Sequence, residues 1–187
     1  QEWEQNYEPV IVGDFVAVRA HFHQPITTVL HEIVITPKMS FGTGHHATTY
    51  SVMQLMQGLD FQGKSVFDFG TGTGILAILA EKLGAIDLLA VDNDEWCVEN
   101  ASENISINHC KHIDIQLVDT ANVDRQFDIV IANINKNIIL DNIGALGKAV
   151  AENGQILLSG LLIEDETDIL TACATLGWKH LKTVQRG

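Results

Sequence analysis

The sequence is short of positive charge: 11 Lys and Arg stand against 24 Asp and Glu, a formal net charge of −13 over 187 residues. Recognition of a nucleic-acid backbone draws on a lysine and arginine surface that this balance does not supply, so no direct nucleic-acid partner is expected. A basic protein partner would instead be drawn in by the field. Cysteine is also sparse. Cys97, Cys110 and Cys173 are odd in number, widely spaced and set in helical or helix-end contexts, which argues against a disulfide framework or a zinc site and suits buried thiols. No apolar run approaches the roughly 20 residues of a membrane-crossing helix. The polar opening Gln1-Glu-Trp-Glu-Gln-Asn6 lacks the basic-then-apolar layout of a signal peptide. The expectation is a cytoplasmic protein with no membrane partner. Repeats and low-complexity tracts are missing too. With 46% hydrophobic and 19% charged residues, the composition is that of one globular domain with at most a small appendage.

The chain is organised around Ser65-Val-Phe-Asp68-Phe-Gly70-Thr-Gly72-Thr-Gly74, followed by a helical pattern from Ile75 to Leu83. It reads as buried strand, glycine turn and helix, the first βα turn of a nucleotide-binding sheet. A dinucleotide fingerprint needs Gly-x-Gly-x-x-Gly. Here the glycines fall at 70, 72 and 74 with an acid two residues ahead, the Asp-x-Gly-x-Gly-x-Gly pattern expected of S-adenosylmethionine-dependent methyltransferases. Taken alone, the glycines fit a cofactor loop or a merely tight turn equally well. Asp92 tips the balance. It closes the apolar strand 88–91 at about the spacing where a βαβ unit sets a carboxylate against a ribose diol. The plainer alternative is a helix cap, but Asp94 can serve as that cap and leave Asp92 for a ligand.

Strands and helices alternate along the rest of the chain. The spacing predicts a helix over 94–108, a strand over 114–118 ending in Asp119, a buried strand over 127–134 and a helix over 138–150. A strand over 154–160, a helix over 165–176 and a sixth strand from Trp178 complete the pattern. This rhythm defines an α/β fold, a doubly wound, mostly parallel Rossmann-like sheet. Gly70, Asp92, Asp119, Asn133 and Ser159 all fall at the carboxyl ends of strands, where ligands of such sheets bind. Asp119 reads equally as an acceptor for an adenine amino group or as a solvated loop residue.

Residues 1–36 read as a short β-rich lead-in packed against the main sheet. Val10–Val12 and Phe15–Val18 flank Gly13-Asp14, a two-residue hairpin signal, and 32–36 is a further strand stopped by Pro37. Residues 37–187 form the main domain. It opens on Phe41-Gly-Thr-Gly-His-His-Ala-Thr-Thr49, a second glycine loop that runs into a helix. Its free N–H groups could hold a carboxylate, and Thr49 could reach a ligand or bond back to the helix backbone. Adjacent His45 and His46 diverge by about 100° on a helix, and His21 and His23 share a strand face without an acidic or thiol partner. No metal site is expected.

With these residues in hand, the chain resembles the PrmA family, the bacterial methyltransferases that modify large-subunit ribosomal protein eleven. The likeness runs from about Glu8 to Leu176. It rests on 41–49, on 68–78, on Val91-Asp92, on Ala132-Asn-Ile134 and on Leu158-Ser-Gly160, of which the first is the specific one. The resemblance implies a class I methyltransferase fold and S-adenosylmethionine as cofactor. It assigns cofactor contacts to Thr49, Gly70, Gly72, Asp92 and Asn133, with Phe41 and the 42–44 loop near the methionine end. It also implies methylation of lysine ε-amines and an N-terminal α-amine on the ribosomal protein. Asn133 is the candidate catalytic residue: its side-chain carbonyl can accept from the substrate amine and aim the lone pair, although it cannot act as a base. His46 is the nearby candidate for proton removal. His45 and Ala47 stand where the family usually has Thr and Pro. The family's separate N-terminal substrate-recognition domain and its last strand are expected to lie outside this sequence. Another N-methyltransferase, an NAD-dependent oxidoreductase and a non-catalytic cofactor-binding domain remain the alternatives.

Overall fold

A computed structural model describes residues 7–38 and 45–184. Three short strands come first: β1 (Val10–Val12), β2 (Val16–Ala20) and β3 (His31–Ile35). After helix α1 (His45–Gln57) come β4 (Ser65–Phe69), α2 (Ile75–Lys82), β5 (Asp87–Asp92), α3 (Glu95–Ile107), β6 (Ile113–Leu117) and β7 (Phe127–Asn133). The chain continues through α4 (Lys136–Asp141), α5 (Ile143–Ala149), β8 (Val150–Ser159), a single turn at Ile163–Asp165 and α6 (Glu166–Thr175). Among the described residues, no helix is long and apolar enough to cross a membrane.

The main sheet has the order β6-β5-β4-β7-β8 with every pairing parallel. It is the doubly wound sheet that the alternation predicts, and its order reverses between β4 and β7, which opens a crevice beyond their carboxyl ends. Period-two alternation sends successive residues to opposite faces. Val66, Ile129 and Ile131 pack on the side of α1 and α2, whereas Phe67, Phe69, Val130 and Ala132 pack on the side of α4, α5 and α6.

The N-terminal segment differs from the expectation in where it packs. It forms a separate sheet, β1-β2-β3, with β2 and β3 parallel, and it lies over α1, α2 and α3, away from the main sheet. Helix α2 is the reason. Every residue from Ile75 to Ala80 is buried, so the helix is apolar all round and needs cover on its outer side as well. Ile33 and Ile35 are fully buried there. The β1-β2 loop has three residues, 13–15, closed by the Phe15 amide donating to the Val12 carbonyl at 3.0 Å.

Two other expectations are corrected. The helix expected over 138–150 is two helices, broken at Asn142. The Asn142 amide donates back to the Ile138 carbonyl at 2.9 Å while its oxygen accepts from the Ala121 amide at 3.0 Å, so its side chain takes over backbone groups at the break. The sixth strand is not present through residue 184. Trp178 instead closes the end of α6 by donating its backbone N–H to the Cys173 carbonyl and sets its ring against Gly147.

Candidate functional site

The crevice has two sides, and the glycine turn after β4 builds the first. Gly70 and Thr71 donate their amides to the Val91 carbonyl at 3.0 and 2.9 Å, and Gly74 donates to Thr71. Gly72 donates to Asp92 Oδ2 at 2.9 Å, and Asp94 donates to Asp92 Oδ1 at 3.0 Å. Asp94 is the cap of α3, accepting from the Trp96 amide. Asp92 is therefore not the helix cap, but neither is it free of protein contacts: each oxygen already accepts one backbone N–H. A carboxylate offers about four acceptor positions, and Asp92 is half-exposed, so it retains capacity for two ligand hydroxyls. A Cβ at Gly72 would meet no atom within 4 Å, which leaves room for a ligand against the turn.

Asp68 lies beneath the turn, 1% exposed. Its Oδ2 accepts from the Thr71 hydroxyl at 2.7 Å, and its Oδ1 is buried without a hydrogen-bond partner. Burial pushes its carboxyl up to about 7, opposed by the Thr71 hydroxyl and reinforced by the negative charge of Asp92. The Ala77 amide draws it down somewhat. The three cysteines are half-buried free thiols. Cys97, next to Asp92, is pushed up to about 11, first by burial and then by Asp92 and Asp94, so it remains a neutral thiol near pH 7.

The second side comes from β7 and β8. Asn133 pairs in register with Ser159 at the strand ends and is half-exposed. Its side-chain amide makes no hydrogen bond to the described residues, whereas Asn135, two residues on, uses its oxygen to cap α4. The segment is held by strand pairing, with the Ile134 amide donating to the Ser159 carbonyl at 3.1 Å, and by packing. A Cβ added to Gly70, at φ 80, would collide with Ile134 Cγ2, and one added to Gly160, at φ 79, would lie 2.8 Å from the Ile134 carbonyl oxygen. Both backbones are in the left-handed region that glycine tolerates, and the two glycines grip the residue after Asn133. Leu162 and Ile163, each 65% exposed, lie just beyond β8 and Gly160.

Gly70, Gly72, Asp92 and Asn133 thus meet at one edge of the sheet. Thr49 is 2% exposed in the first turns of α1. Asp119 lies past the end of β6, exposed. Phe41 and the 42–44 loop lie outside the described residues, and so does the side chain of His46. The sequence reading overlooked two features. One is the pairing of Gly70 with Gly160 around Ile134, foreshadowed by the Leu158-Ser-Gly160 run. The other is Asn104, whose only sequence signal is its place in the series Asn100, Asn104, Asn108.

A parallel sheet with its order reversed at β4 and β7, a glycine turn and an acidic strand end define a Rossmann-like domain of the class I methyltransferase type. Precorrin-6y C5,15-methyltransferase from Geobacter metallireducens GS-15 has this fold, with a TM-score of 0.64 at 14% identity over 78% of each chain. The chain belongs to the family described as Ribosomal protein L11 methyltransferase (PrmA), which matches residues 1–187. It is 43% identical over 179 residues to the ribosomal protein L11 methyltransferase of Porphyromonas gingivalis, across 94% of this chain and 61% of the relative. The enzyme of the same name from Phocaeicola vulgatus is 41% identical over 185 residues, across 97% and 66%. The chain therefore spans less than two thirds of the length of these relatives. The crystal structure of a ribosomal protein L11 methylase from Lactobacillus delbrueckii subsp. bulgaricus superimposes with a TM-score of 0.88 at 32% identity, covering 97% of this chain and 94% of that one.

Proposed function

We propose that this chain is the catalytic domain of an S-adenosylmethionine-dependent protein methyltransferase. Its acceptors are amino groups of ribosomal protein L11, the lysine ε-amines and the N-terminal α-amine. The observation that carries the reading is the side-chain amide of Asn133, unpaired among the described residues, at the sheet edge that also holds the glycine turn and Asp92. The relatives, which are ribosomal protein L11 methyltransferases, supply the substrate.

The residues suit the cofactor. Asp92 has spare acceptor capacity for a ribose diol, the face at Gly72 is open, and the turn is held by bonds that require no rearrangement on binding. Gly70, Gly72, Asp92, Thr49 and Asn133, with Phe41, form the proposed cofactor set. When bound, S-adenosylmethionine supplies an electrophilic sulfonium methyl group. The chain's own part is to bind, orient and exclude. A lysine amine carries a proton up to a pKa of about 10.4 and must lose it before attack. Asn133 has no basic group, so its part is orientation: its Oδ1 accepts from the neutral amine and directs the lone pair into the crevice. The net charge of −13 favours the approach of a basic substrate, and a cytoplasmic location belongs to the same reading.

Calorimetric titration with S-adenosylmethionine, and separately with NAD, tests the cofactor assignment. Transfer of labelled methyl groups to purified ribosomal protein L11 by the full-length enzyme tests the substrate. Saturable binding of S-adenosylmethionine and label on amino groups are the expected results. Binding of NAD in its place would sink the reading.

A further inference from the structure

Helix α3 and its C-terminal cap carry Asn100, Asn104 and Asn108 at intervals of four, one stripe along the helix. The stripe faces β3, the outer strand of the small sheet. Asn108 accepts from the Val34 amide at 2.9 Å and donates to the Val34 carbonyl at 2.7 Å, as a neighbouring strand would. Two residues on, Thr36 is met in the same way: its amide donates to Asn104 Oδ1 at 2.8 Å and its carbonyl accepts from Asn100 at 2.8 Å. Residues 34 and 36 point the same edge outward, so three side-chain amides seal an edge that would otherwise lie open. That alone is a structural role. Asn104 departs from it, because its amide donates away from β3, to the Thr73 carbonyl at 2.9 Å, with the residue 0% exposed.

Thr73 sits in the glycine turn, between Gly72, held by Asp92, and Gly74, whose amide is held by Thr71. We propose that Asn104 is a positioning residue for the cofactor. By joining the Thr73 carbonyl to the Thr36 amide, it sets the carbonyl of the Thr73 peptide and keeps the turn in the shape that receives the ligand. A buried amide bonded at both ends is a stiff link, since loss of either bond leaves a buried polar group without a partner. The link also ties the turn to the chain that runs from β3 toward α1. This inference rests on the reading of the crevice as an S-adenosylmethionine site.

The test compares Asn104→Ala with Asn108→Ala, which loses two bonds to β3 and one to the Asn104 backbone carbonyl but none to the turn. S-adenosylmethionine affinity is measured by calorimetry at a temperature where circular dichroism shows both variants folded. Both should melt below the wild type, but N104A should bind at least tenfold more weakly while N108A stays within about twofold. Asn104→Asp supplies a reading that stability does not move. A neutral carboxyl can donate to the Thr73 carbonyl, whereas a carboxylate cannot, so the ratio of wild-type to N104D affinity should shrink as pH falls. Asp68, Asp92, His31, Glu32, Glu103 and Lys38, the charged and ionisable groups on the surrounding elements, are present in both proteins and so are common to both sides of that ratio. If N104A binds as tightly as N108A, or the N104D ratio is flat with pH, the positioning role is overturned and the site reading stands. If the folded wild type binds no S-adenosylmethionine, both fall together.

Discussion

The two sides of the crevice differ in which of their polar side chains are already occupied. On the β4 and β5 side, hydrogen bonds fix the turn: Gly70, Thr71, Gly72 and Gly74 each donate a backbone N–H, and the Thr73 carbonyl accepts from Asn104. On the β7 and β8 side, Asn133 keeps its side-chain amide unbonded among the described residues, and Ile134, whose backbone N–H donates to the Ser159 carbonyl at 3.1 Å, is gripped on either side by Gly70 and Gly160. A surface that must receive one constant ligand gains from fixed dipoles that require no rearrangement. A surface that must orient an incoming amine needs a polar group whose bonds are still available, on a backbone that does not move. Strand pairing and packing can hold a backbone without occupying its neighbour's side chain, and hydrogen bonding to that side chain could not.

One atom breaks the pattern on the tied side, Oδ1 of Asp68, and the largest expected effect concerns it. The folded carboxyl titrates near 7 against 3.8 for an ordinary one. Below pH 4 both states are protonated and the group is neutral in its effect. Between pH 4 and 7 the unfolded chain releases the proton and the folded chain keeps it, so stability falls as pH rises and levels off above 7. Asp68→Asn removes this titration. Its stability advantage over the wild type, from urea denaturation at a series of pH values, should grow by about 4 kcal/mol at most across that window. An advantage that is constant with pH would mean that Asp68 is solvated in solution.

Next in size is Gly70→Ala, which forces a Cβ onto Ile134 at a positive φ and should cost about 3 kcal/mol of folding stability. Gly72→Ala has the positive φ with no atom nearby, so about 1–2 kcal/mol is expected there. Equal losses in the two variants would show that the grip on Ile134 contributes nothing. Asp92→Ala should lower S-adenosylmethionine affinity by about 100-fold, as two hydrogen bonds to a charged acceptor are lost; a loss under threefold by calorimetry would contradict its assignment to the ribose. The smallest effect separates the two sides most directly. Asn133→Ala should slow methyl transfer by about 10- to 50-fold and weaken cofactor binding by no more than about threefold. Equal losses in the two measurements would assign Asn133 to cofactor binding alone.

Much of this was legible in the chain. The largely apolar runs at 66–69, 88–91 and 127–132, broken only by Asp68 and Asp128 and each followed by a glycine or polar residue, are long enough for buried parallel strands, and they mark the sheet and its carboxyl edge together. Asp94 reads correctly as the cap of α3 because capping is a local matter of one side chain and an amide two residues away. The errors fall where a distant partner decides. The break at Asn142 depends on Ala121 as well as on the helix itself, and Trp178 leaves the sheet because α5 offers it a surface at Gly147. The lead-in strands are right, but their place over α2 is decided by that helix's second apolar face.

What the sequence by itself determined is the alternation of strands and helices, the spacing of the glycines and the family. Each of these is encoded in neighbouring residues, through side-chain period, dihedral preference and motif. What only the tertiary structure decided is which polar groups are occupied. That Asp92 already holds Gly72, that Asn104 joins Thr36 to Thr73 across 68 and 31 residues of chain, and that Asn133 is left unbonded among the described residues follows from where the helices lie on the sheet. A hydrogen bond is satisfied by distance and angle in space, and separation along the chain carries no information about either.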